Sequence, residues 1–148
     1  MAPSPSLKAR ALRALARREH SRAELRARLE THAETPEELD GLLDELEKRG
    51  WLSEQRFVEQ LTTVRRRKFG ADRIIRELRE KGVSGEALEA SRAALQAGEI
   101  DAARAVWKKK FGHLPGTLEE KARQQRFLAG RGFSAEAVRT VLKKLRDD

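Results

Sequence analysis

Two runs of consecutive basic residues are the part of this sequence best equipped for chemistry. They comprise Arg65, Arg66, Arg67 and Lys68 in the first run and Lys108, Lys109 and Lys110 in the second. Guanidinium and ammonium groups donate hydrogen bonds to phosphate and carboxylate oxygens, so either run could contact nucleic acid or an acidic protein groove. Cations also stabilise the C-terminal end of a helix, by about 0.3 to 1 kcal/mol each. The residues alone leave both interpretations open.

The sequence offers no candidate residues for metal binding or for catalysis. The three histidines, His20, His32 and His113, are too scattered for a metal site, and the chain contains no cysteine. The carboxylates follow basic residues along the chain, a pattern typical of solvated ion pairs rather than of a general acid and base. Neither a glycine-rich phosphate loop nor a nucleophile motif is present. The sequence therefore predicts a protein that is not an enzyme and that holds no cofactor or metal.

The composition predicts an all-α fold. Of the 148 residues, 39% are hydrophobic, 38% are charged and 5% are aromatic, so a thin and spread-out core is expected. Ala, Leu, Arg, Glu and Lys dominate the chain, and these residues lose little side-chain freedom in a helix. The formal charge of +8 favours a polyanionic partner such as nucleic acid. We therefore expect an elongated helical protein with a basic surface.

The first residues bear on the cellular location of the protein. Pro3 and Pro5 break any helix, so residues 1–6 are expected to form a flexible tail. No apolar run follows that could serve as a signal peptide, and no stretch approaches the length of a membrane span. The sequence predicts a cytoplasmic protein without membrane contact, and we expect it to be a monomer.

A repeat of about fifty residues is the most informative internal feature. Thr35, Ser84 and Ser134 begin similar segments that lie 49 and 50 residues apart. Each is followed by an acid after two positions, and each hydroxyl can accept a hydrogen bond from the free amides of a first helical turn. Thr35 is the strongest case, because Pro36 suits the first helical position and Glu38 completes a capping box. Each segment is therefore predicted to begin a helix.

A middle helix precedes each of these segments. Ser21 and Gly70 head the first two. Strict alignment places Glu120 at this position in the third, whereas a cap at Thr117 begins that helix three residues earlier. Ser21 and Thr117 each have a glutamate three positions later, which is the spacing of a capping box. Gly82 and Gly132 come just after their middle helices and are predicted to end them in the left-handed conformation.

An amphipathic first helix opens each unit, so the unit is three helices long. The first helices are predicted over residues 7–18, 53–68 and 101–111. Three short helices bury little apolar area alone, so neighbouring repeats are expected to stack. The two basic runs would then lie at matching places, near the ends of two first helices. The predicted repeats are residues 7–53, 54–100 and 101–148.

All seven aromatic side chains fall at the joints of this predicted repeat. They could stack on nucleic-acid bases, but packing in the core is the favoured interpretation, because large rings seal small helices together. The seven are Trp51, Phe57, Phe69, Trp107, Phe111, Phe127 and Phe133.

Charge is distributed unevenly over the three predicted repeats. Residues 1–53 carry 10 basic and 10 acidic side chains, residues 54–100 carry 10 and 8, and residues 101–148 carry 12 and 6. The excess of positive charge therefore rises along the chain from 0 to +2 and +6. This gradient predicts that repeats two and three face the anionic partner.

A characteristic motif spans residues 50–84. A glycine and an aromatic residue precede a leucine, an Arg-Phe pair follows, and a basic helix end leads to a helix with the pattern Arg-Ile, Glu-Leu, Lys-Gly-Val. The residues that carry it are Gly50, Trp51, Leu52, Arg56, Phe57, Arg73, Ile74, Glu77, Leu78, Lys81, Gly82 and Val83. This motif resembles the signature of the RecX family, and the resemblance extends over residues 7–146. Two positions depart from it, since Trp51 replaces the usual tyrosine and Phe69-Gly70-Ala71 replaces the usual Gly-x-Gly-Pro turn.

The resemblance implies a regulator of the RecA recombinase. Such a protein would lodge against the groove of the RecA filament on single-stranded DNA and hinder filament extension, strand exchange and ATPase activity. It would thereby modulate DNA repair, recombination and the SOS response. The expected contacts to RecA or DNA are made by both basic runs and by Arg73, whereas the other motif residues are expected to be mainly structural.

Two alternatives remain from the residues alone. An independent DNA-binding protein would insert a recognition helix into duplex DNA, although no helix concentrates Arg, Asn and Gln on one face for base recognition. A helical scaffold that binds an unrelated acidic protein is the second. Salt-dependent duplex binding without RecA would distinguish the first alternative from the filament regulator.

Overall fold

The computed structural model describes residues 3–143, and these residues form nine α-helices and no strand. Repeat one contains α1 (Leu7–Arg17), α2 (Arg22–Leu29) and α3 (Pro36–Lys48), with a 3-10 turn, Glu30–His32, after α2. Repeat two contains α4 (Glu54–Arg65), α5 (Ala71–Glu80) and α6 (Gly85–Ala97). Repeat three contains α7 (Glu99–Lys110), α8 (Leu118–Gly130) and α9 (Ala135–Leu142). The predicted all-α array of three-helix units is confirmed.

Two stretches of the predicted organisation lie outside the described residues. They are Met1 and Ala2 of the predicted tail and residues 144–148 of the third predicted repeat. Between them, no helix of residues 3–143 combines the length and the apolar character that crossing a membrane would require.

Hydroxyl residues start most of the helices as predicted. The Thr35 side chain accepts a hydrogen bond from the Glu38 amide at 3.1 Å, and the Ser134 side chain accepts one from the Ala137 amide at the same distance. The helix predicted at Ser84 is present as α6, with Ser84 at its N-cap, but the Ser84 side chain makes no capping hydrogen bond. Gly85 follows it with φ of 62°, which is not helical, so the first turn of α6 is not aligned with that hydroxyl.

The predicted capping boxes close in one case and shift in two. At Ser21 both hydrogen bonds of the box with Glu24 are present. Glu38 instead accepts from the amide of Glu34, and Glu120 accepts from the amide of Gly116, each one residue before the N-cap. These glutamates still bind amides of the entering chain, so they oppose the positive end of the helix dipole.

Two helix ends differ from the prediction, and both affect the basic runs. Helix α4 ends at Arg65, so the rest of the first run lies in the turn that leads to α5. Helix α7 begins at Glu99 rather than at Asp101, which places an additional acid in its first turn. Gly82 and Gly132 have the predicted left-handed conformation, with φ of 91° at each.

Each repeat has a hydrophobic core of its own. The three clusters of buried side chains draw on residues 11–52, 57–95 and 103–142. Leucines of α2 and α3 fill the first, Ile74, Ile75 and Leu78 of α5 are central to the second, and α9 contributes half of the third. The repeats join through hydrogen bonds, ion pairs and close packing at glycines, described below, rather than through one shared core.

The aromatic residues divide between core and surface. Phe57 and Phe133 are buried, as predicted. The prediction is wrong for Trp51, whose residue is 42% exposed and whose ring lies beneath the cations of Lys8 and Arg49, at 5.8 and 5.1 Å. Trp51 lies outside the core because Leu52, the next residue, takes the buried place in the first cluster.

The first junction joins the start of α2 to the end of α5. The Ser21 hydroxyl donates a hydrogen bond to the Lys81 carbonyl at 2.5 Å. Gly82 faces Ala23 so closely that a Cβ on Gly82 would lie 2.4 Å from the Ala23 Cβ. Glu24 accepts two hydrogen bonds from Arg18, at 3.0 and 2.7 Å, and one from Lys81 at 3.2 Å. A carboxylate from repeat one therefore binds a cation from repeat two.

Acid is expected to weaken this junction. Burial alone would raise the pKa of Glu24, but the hydrogen bonds from Arg18 and Lys81 outweigh burial and lower the pKa from 4.5 to about 2. The stabilisation is therefore present above pH 4.5 and is lost as the pH falls toward 2, with a maximum of about 3 kcal/mol. In urea titrations between about pH 6 and pH 3, the wild type should lose more free energy of unfolding than Glu24→Gln. Equal losses in the two proteins would contradict this assignment.

Candidate functional site: a basic surface between repeats two and three

The second junction repeats the geometry of the first, with a backbone amide in place of the serine side chain. The Gly70 amide donates a hydrogen bond to the Arg131 carbonyl at 2.8 Å, so the start of α5 meets the end of α8. Gly70 and Arg131 occupy the places that Ser21 and Lys81 occupy in the first junction. A Cβ on Gly70 would lie 2.4 Å from the Gly132 carbonyl oxygen. Backbone therefore packs directly against backbone here, and only glycine permits that approach.

A buried carboxylate holds the second junction together. The Glu99 side chain is 8% exposed and accepts hydrogen bonds from Arg66 Nη1 at 2.9 Å, the Ala71 amide at 3.0 Å and the Ser134 amide at 3.1 Å. Arg66 also donates to the Leu95 carbonyl. One acid thus joins α7 to the starts of α5 and α9, and it neutralises one member of the first basic run.

A second member of that run is also engaged inside the protein. The Arg65 guanidinium donates two hydrogen bonds to the Glu77 carboxylate, at 2.7 and 3.0 Å. These hydrogen bonds lower the pKa of Glu77, although partial burial opposes the shift. Arg65 and Arg66 therefore anchor the turn between α4 and α5, and their charges are largely neutralised by neighbouring carboxylates.

The remaining cations of the two runs meet across the junction. Arg67 and Lys68 of repeat two face Lys109, Lys110 and Arg131 of repeat three around an open pocket of about 300 Å³. Val106 and Phe127 supply the apolar part of its lining. We call these five basic residues the basic junction surface. Lys108, exposed on α7, belongs to the same run but does not line the pocket.

A stack of alternating cations and rings supports this surface. Arg73 and Arg131 lie against the Phe69 ring, at 4.0 and 5.4 Å from its centroid. Arg131 and Lys110 lie against the Phe127 ring, at 4.9 and 5.4 Å. Cation–π contacts hold the charged groups in place while leaving N–H groups free to bind a ligand. The rings of Phe69 and Phe127 are therefore platforms for cations of the protein itself.

The surface carries an excess of unpaired positive charge. Within residues 3–143, none of the five members of the basic junction surface has a carboxylate oxygen within 4.0 Å, in contrast to Arg65 and Arg66. The two junctions differ for a simple reason. Glu24, three residues after the N-cap Ser21, binds Lys81, whereas Arg73 stands three residues after the N-cap Gly70. Charges that are balanced in the first junction therefore accumulate in the second.

Several residues of the motif are buried or form ion pairs within the fold. Leu52, Phe57, Ile74 and Leu78 are core residues, and Glu77 and Lys81 form the ion pairs described above. Arg56 donates to the Gly50 carbonyl at 2.6 Å and to Glu19 at 2.9 Å, which ties the end of repeat one to α4. The motif therefore encodes the two junctions and the core of the central repeat.

Two important residues were not singled out from the sequence. Arg131 could have been found from the repeat. It precedes Gly132 as Lys81 precedes Gly82, and the two pairs are fifty residues apart. Glu99 had none, because its role depends on Arg66, Ala71 and Ser134, which lie 28 to 35 residues away in the chain.

Comparison with known proteins matches the same division of the chain. Residues 53–91 match the family model of the second three-helix domain of RecX, and residues 98–142 match that of the third. The regulatory protein RecX of Leptothrix cholodnii is 46% identical over 141 residues, covering 95% of this chain and 90% of the relative. That of Chromobacterium violaceum is 45% identical over 148 residues, covering 99% and 95%.

Solved structures share the fold at much lower sequence identity. The crystal structure of RecX from Lactobacillus salivarius superposes with a TM-score of 0.76 at 15% identity and covers 94% of each chain. A second crystal structure, of a regulatory protein RecX, gives a TM-score of 0.75 at 14% identity, covering 93% of this chain and 72% of the other. The array of three-helix repeats is thus retained even where few residues are identical.

Proposed function

Because this chain belongs to the RecX family, we propose that it binds RecA and its filament on single-stranded DNA and inhibits RecA recombinase and ATPase activities. The observation that carries the proposal is the basic junction surface, where five cations that have no acid partner among residues 3–143 meet between two repeats. Through RecA the protein would modulate DNA repair, recombination and the SOS response. We place it in the cytoplasm as a monomer.

The proposed contact is made by residues from three segments. Arg67 and Lys68 come from the turn after α4, Lys109 and Lys110 from the end of α7, and Arg131 from the end of α8. Arg73 and Lys108 extend the contact at its edges. Cations dispersed in this way suit phosphates or the carboxylates of a protein groove, whereas base recognition in duplex DNA uses one helix inserted in the major groove. This arrangement favours a filament regulator over a sequence-specific duplex binder.

Inhibition by such a surface requires no chemistry in this protein. Occupying the filament groove would block the space that an exchanging DNA strand needs and would oppose conformational changes that accompany ATP hydrolysis. A bound ligand can shift an equilibrium only by its differential affinity for the two states. In this proposal Arg65 and Arg66 act as positioning residues, because their ion pairs with Glu77 and Glu99 set the geometry of the surface.

The direct test is the single-stranded-DNA-dependent ATPase of the cognate RecA, titrated with this protein. Inhibition well below one copy per RecA is expected if one molecule acts on many filament subunits. No inhibition at an equimolar ratio, together with intact binding to duplex DNA, would leave an independent DNA-binding protein instead.

A variant of the basic junction surface locates the contact. Arg67→Ala/Lys109→Ala/Lys110→Ala should raise the concentration needed for half-inhibition at least about tenfold, because three unpaired cations are lost. The control variant Lys48→Ala/Arg79→Ala/Arg104→Ala removes the same charge from exposed positions elsewhere and should inhibit as the wild type does. If both variants inhibit equally well, the contact lies outside this surface.

A further inference from the structure

The basic residues of α1, its C-cap Arg18 and α2 fall into two groups, which the net charge of repeat one does not distinguish. One group pairs with acids: Lys8 with Glu45, Arg18 with Glu24, Arg22 with Asp44 and Glu47, and Arg26 with Asp40. The other group has no carboxylate oxygen within 4.0 Å among residues 3–143, and it consists of Arg10, Arg13, Arg17 and Arg28. Four positive charges are therefore left without partners.

These four residues face one another across a cleft. Arg10, Arg13 and Arg17 lie on one face of α1, because they are three and four residues apart. Arg28 of α2 and His32 of the following turn line the other side of an open pocket of about 280 Å³. Among the described residues, no acidic side chain lines this pocket. We call Arg10, Arg13, Arg17 and Arg28 the arginine cleft.

We propose that the arginine cleft binds the sugar-phosphate backbone of single-stranded nucleic acid, as a contact separate from the basic junction surface. All four cations are arginines, whose planar guanidinium groups donate paired hydrogen bonds to phosphate oxygens. Along α1 the three arginines are spaced by rises of about 4.5 and 6 Å, so they can engage more than one phosphate of an extended strand.

The lining of the cleft favours nucleic acid over an acidic protein. Protein interfaces are centred on apolar and aromatic anchors that fill pockets on the partner. The apolar residues of this cleft, Ala14 and Leu29, are 2% and 1% exposed and belong to the core of repeat one. They can receive no anchor, so the ligand contacts available here are those of the charged rim. Phosphate contacts of this kind carry no sequence information.

The test measures binding of a fluorescein-labelled oligothymidylate of about 30 nucleotides, without RecA, by anisotropy at several salt concentrations. Each phosphate contact on a single strand contributes about 0.7 to the slope of log K against log salt. Arg13→Ala/Arg17→Ala/Arg28→Ala should therefore reduce the slope by about 2 and weaken binding at least about tenfold near 0.1 M salt. The control variant Lys48→Ala/Arg79→Ala/Arg104→Ala should keep the slope of the wild type.

Each outcome of this test decides the proposal. A wild-type slope in the triple variant overturns it, as does a wild-type protein that does not bind the oligonucleotide. Unchanged oligonucleotide binding with lost RecA inhibition also overturns it and assigns the cleft to an acidic protein partner. If the triple variant loses its helical circular dichroism, the single variants Arg13→Ala and Arg28→Ala replace it, each with an expected fall of about 0.7 in slope. Because the anisotropy measurement contains no RecA, failure to bind the oligonucleotide leaves the proposed RecA regulation standing.

Discussion

Replacing Glu99 by alanine is expected to cost about 3 to 5 kcal/mol of the free energy of unfolding. The substitution leaves Arg66, whose side chain is 19% exposed, as a largely buried cation without its carboxylate. It also removes the acceptor of the Ala71 and Ser134 amides. Each loss destabilises the folded state, because a buried polar group without a partner has lost its hydrogen bonds to water and forms none within the protein.

The loss should appear in the third repeat, and the two tryptophans allow that to be measured. In a Trp51→Phe background the fluorescence of Trp107, which packs on the core of repeat three, reports urea unfolding of that repeat. Trp51 is exposed, so its replacement should itself change little. Helicity measured by circular dichroism then shows whether repeats one and two remain folded when repeat three opens.

A matched acid-to-alanine substitution controls for charge. Glu89 pairs with Arg92 at 3.4 Å on the surface of α6, and its side chain is 68% exposed. Glu89→Ala should cost less than about 1 kcal/mol, because exposed ion pairs are screened by water. Similar losses for Glu99→Ala and Glu89→Ala would mean that the buried carboxylate does not hold the junction.

Replacing Gly70 by alanine is expected to destabilise the chain by about 1 to 3 kcal/mol and to weaken RecA inhibition. The new Cβ would lie 2.4 Å from the Gly132 oxygen and 2.5 Å from both the Gly132 carbon and the Phe133 nitrogen. These are backbone atoms, so no side chain can move aside and the two repeats must separate. Separation would divide the basic junction surface, since Arg67 and Arg131 lie on opposite sides of it.

The opposite change in stability, a gain, is expected for Gly41→Ala. Gly41 lies inside α3, and a Cβ there would have no neighbour within 4 Å beyond the adjoining residues and backbone of its own helix. Alanine favours the helix over glycine by up to about 1 kcal/mol, so this substitution should stabilise repeat one and leave RecA inhibition unchanged. Urea titrations of both variants check the pair of expectations, and a Gly70→Ala protein as stable as the wild type would refute the close approach of the repeats.

The local elements of the fold could be predicted because their causes lie within one helical turn. The Thr35 hydroxyl and the Glu38 amide that it caps are three residues apart, and the left-handed glycines directly follow the helices they end. The local pattern did not predict that the Ser84 side chain makes no capping hydrogen bond, because that depends on the positive φ of Gly85. The period of fifty residues then defined the three-helix unit without any knowledge of contacts.

The candidate sites were only partly predictable, because charge along a sequence does not tell which charges are neutralised. The first basic run was recognised as a whole, yet Arg65 binds Glu77 twelve residues away and Arg66 binds Glu99 thirty-three residues away. Counting charges also gave repeat one a balance of zero, although its acids pair with one set of arginines and leave the arginine cleft unpaired.

The sequence by itself thus determined the helices, most of their caps, the threefold repeat and the family, since each depends on nearby residues or on a recurring pattern. The tertiary structure alone decided that Arg67, Lys68, Lys109, Lys110 and Arg131 form one surface. It also decided which cations of residues 3–143 have no carboxylate partner within that range. The physical reason is that an ion pair depends on distances of a few ångströms between groups far apart in the chain, and packing of the repeats sets those distances.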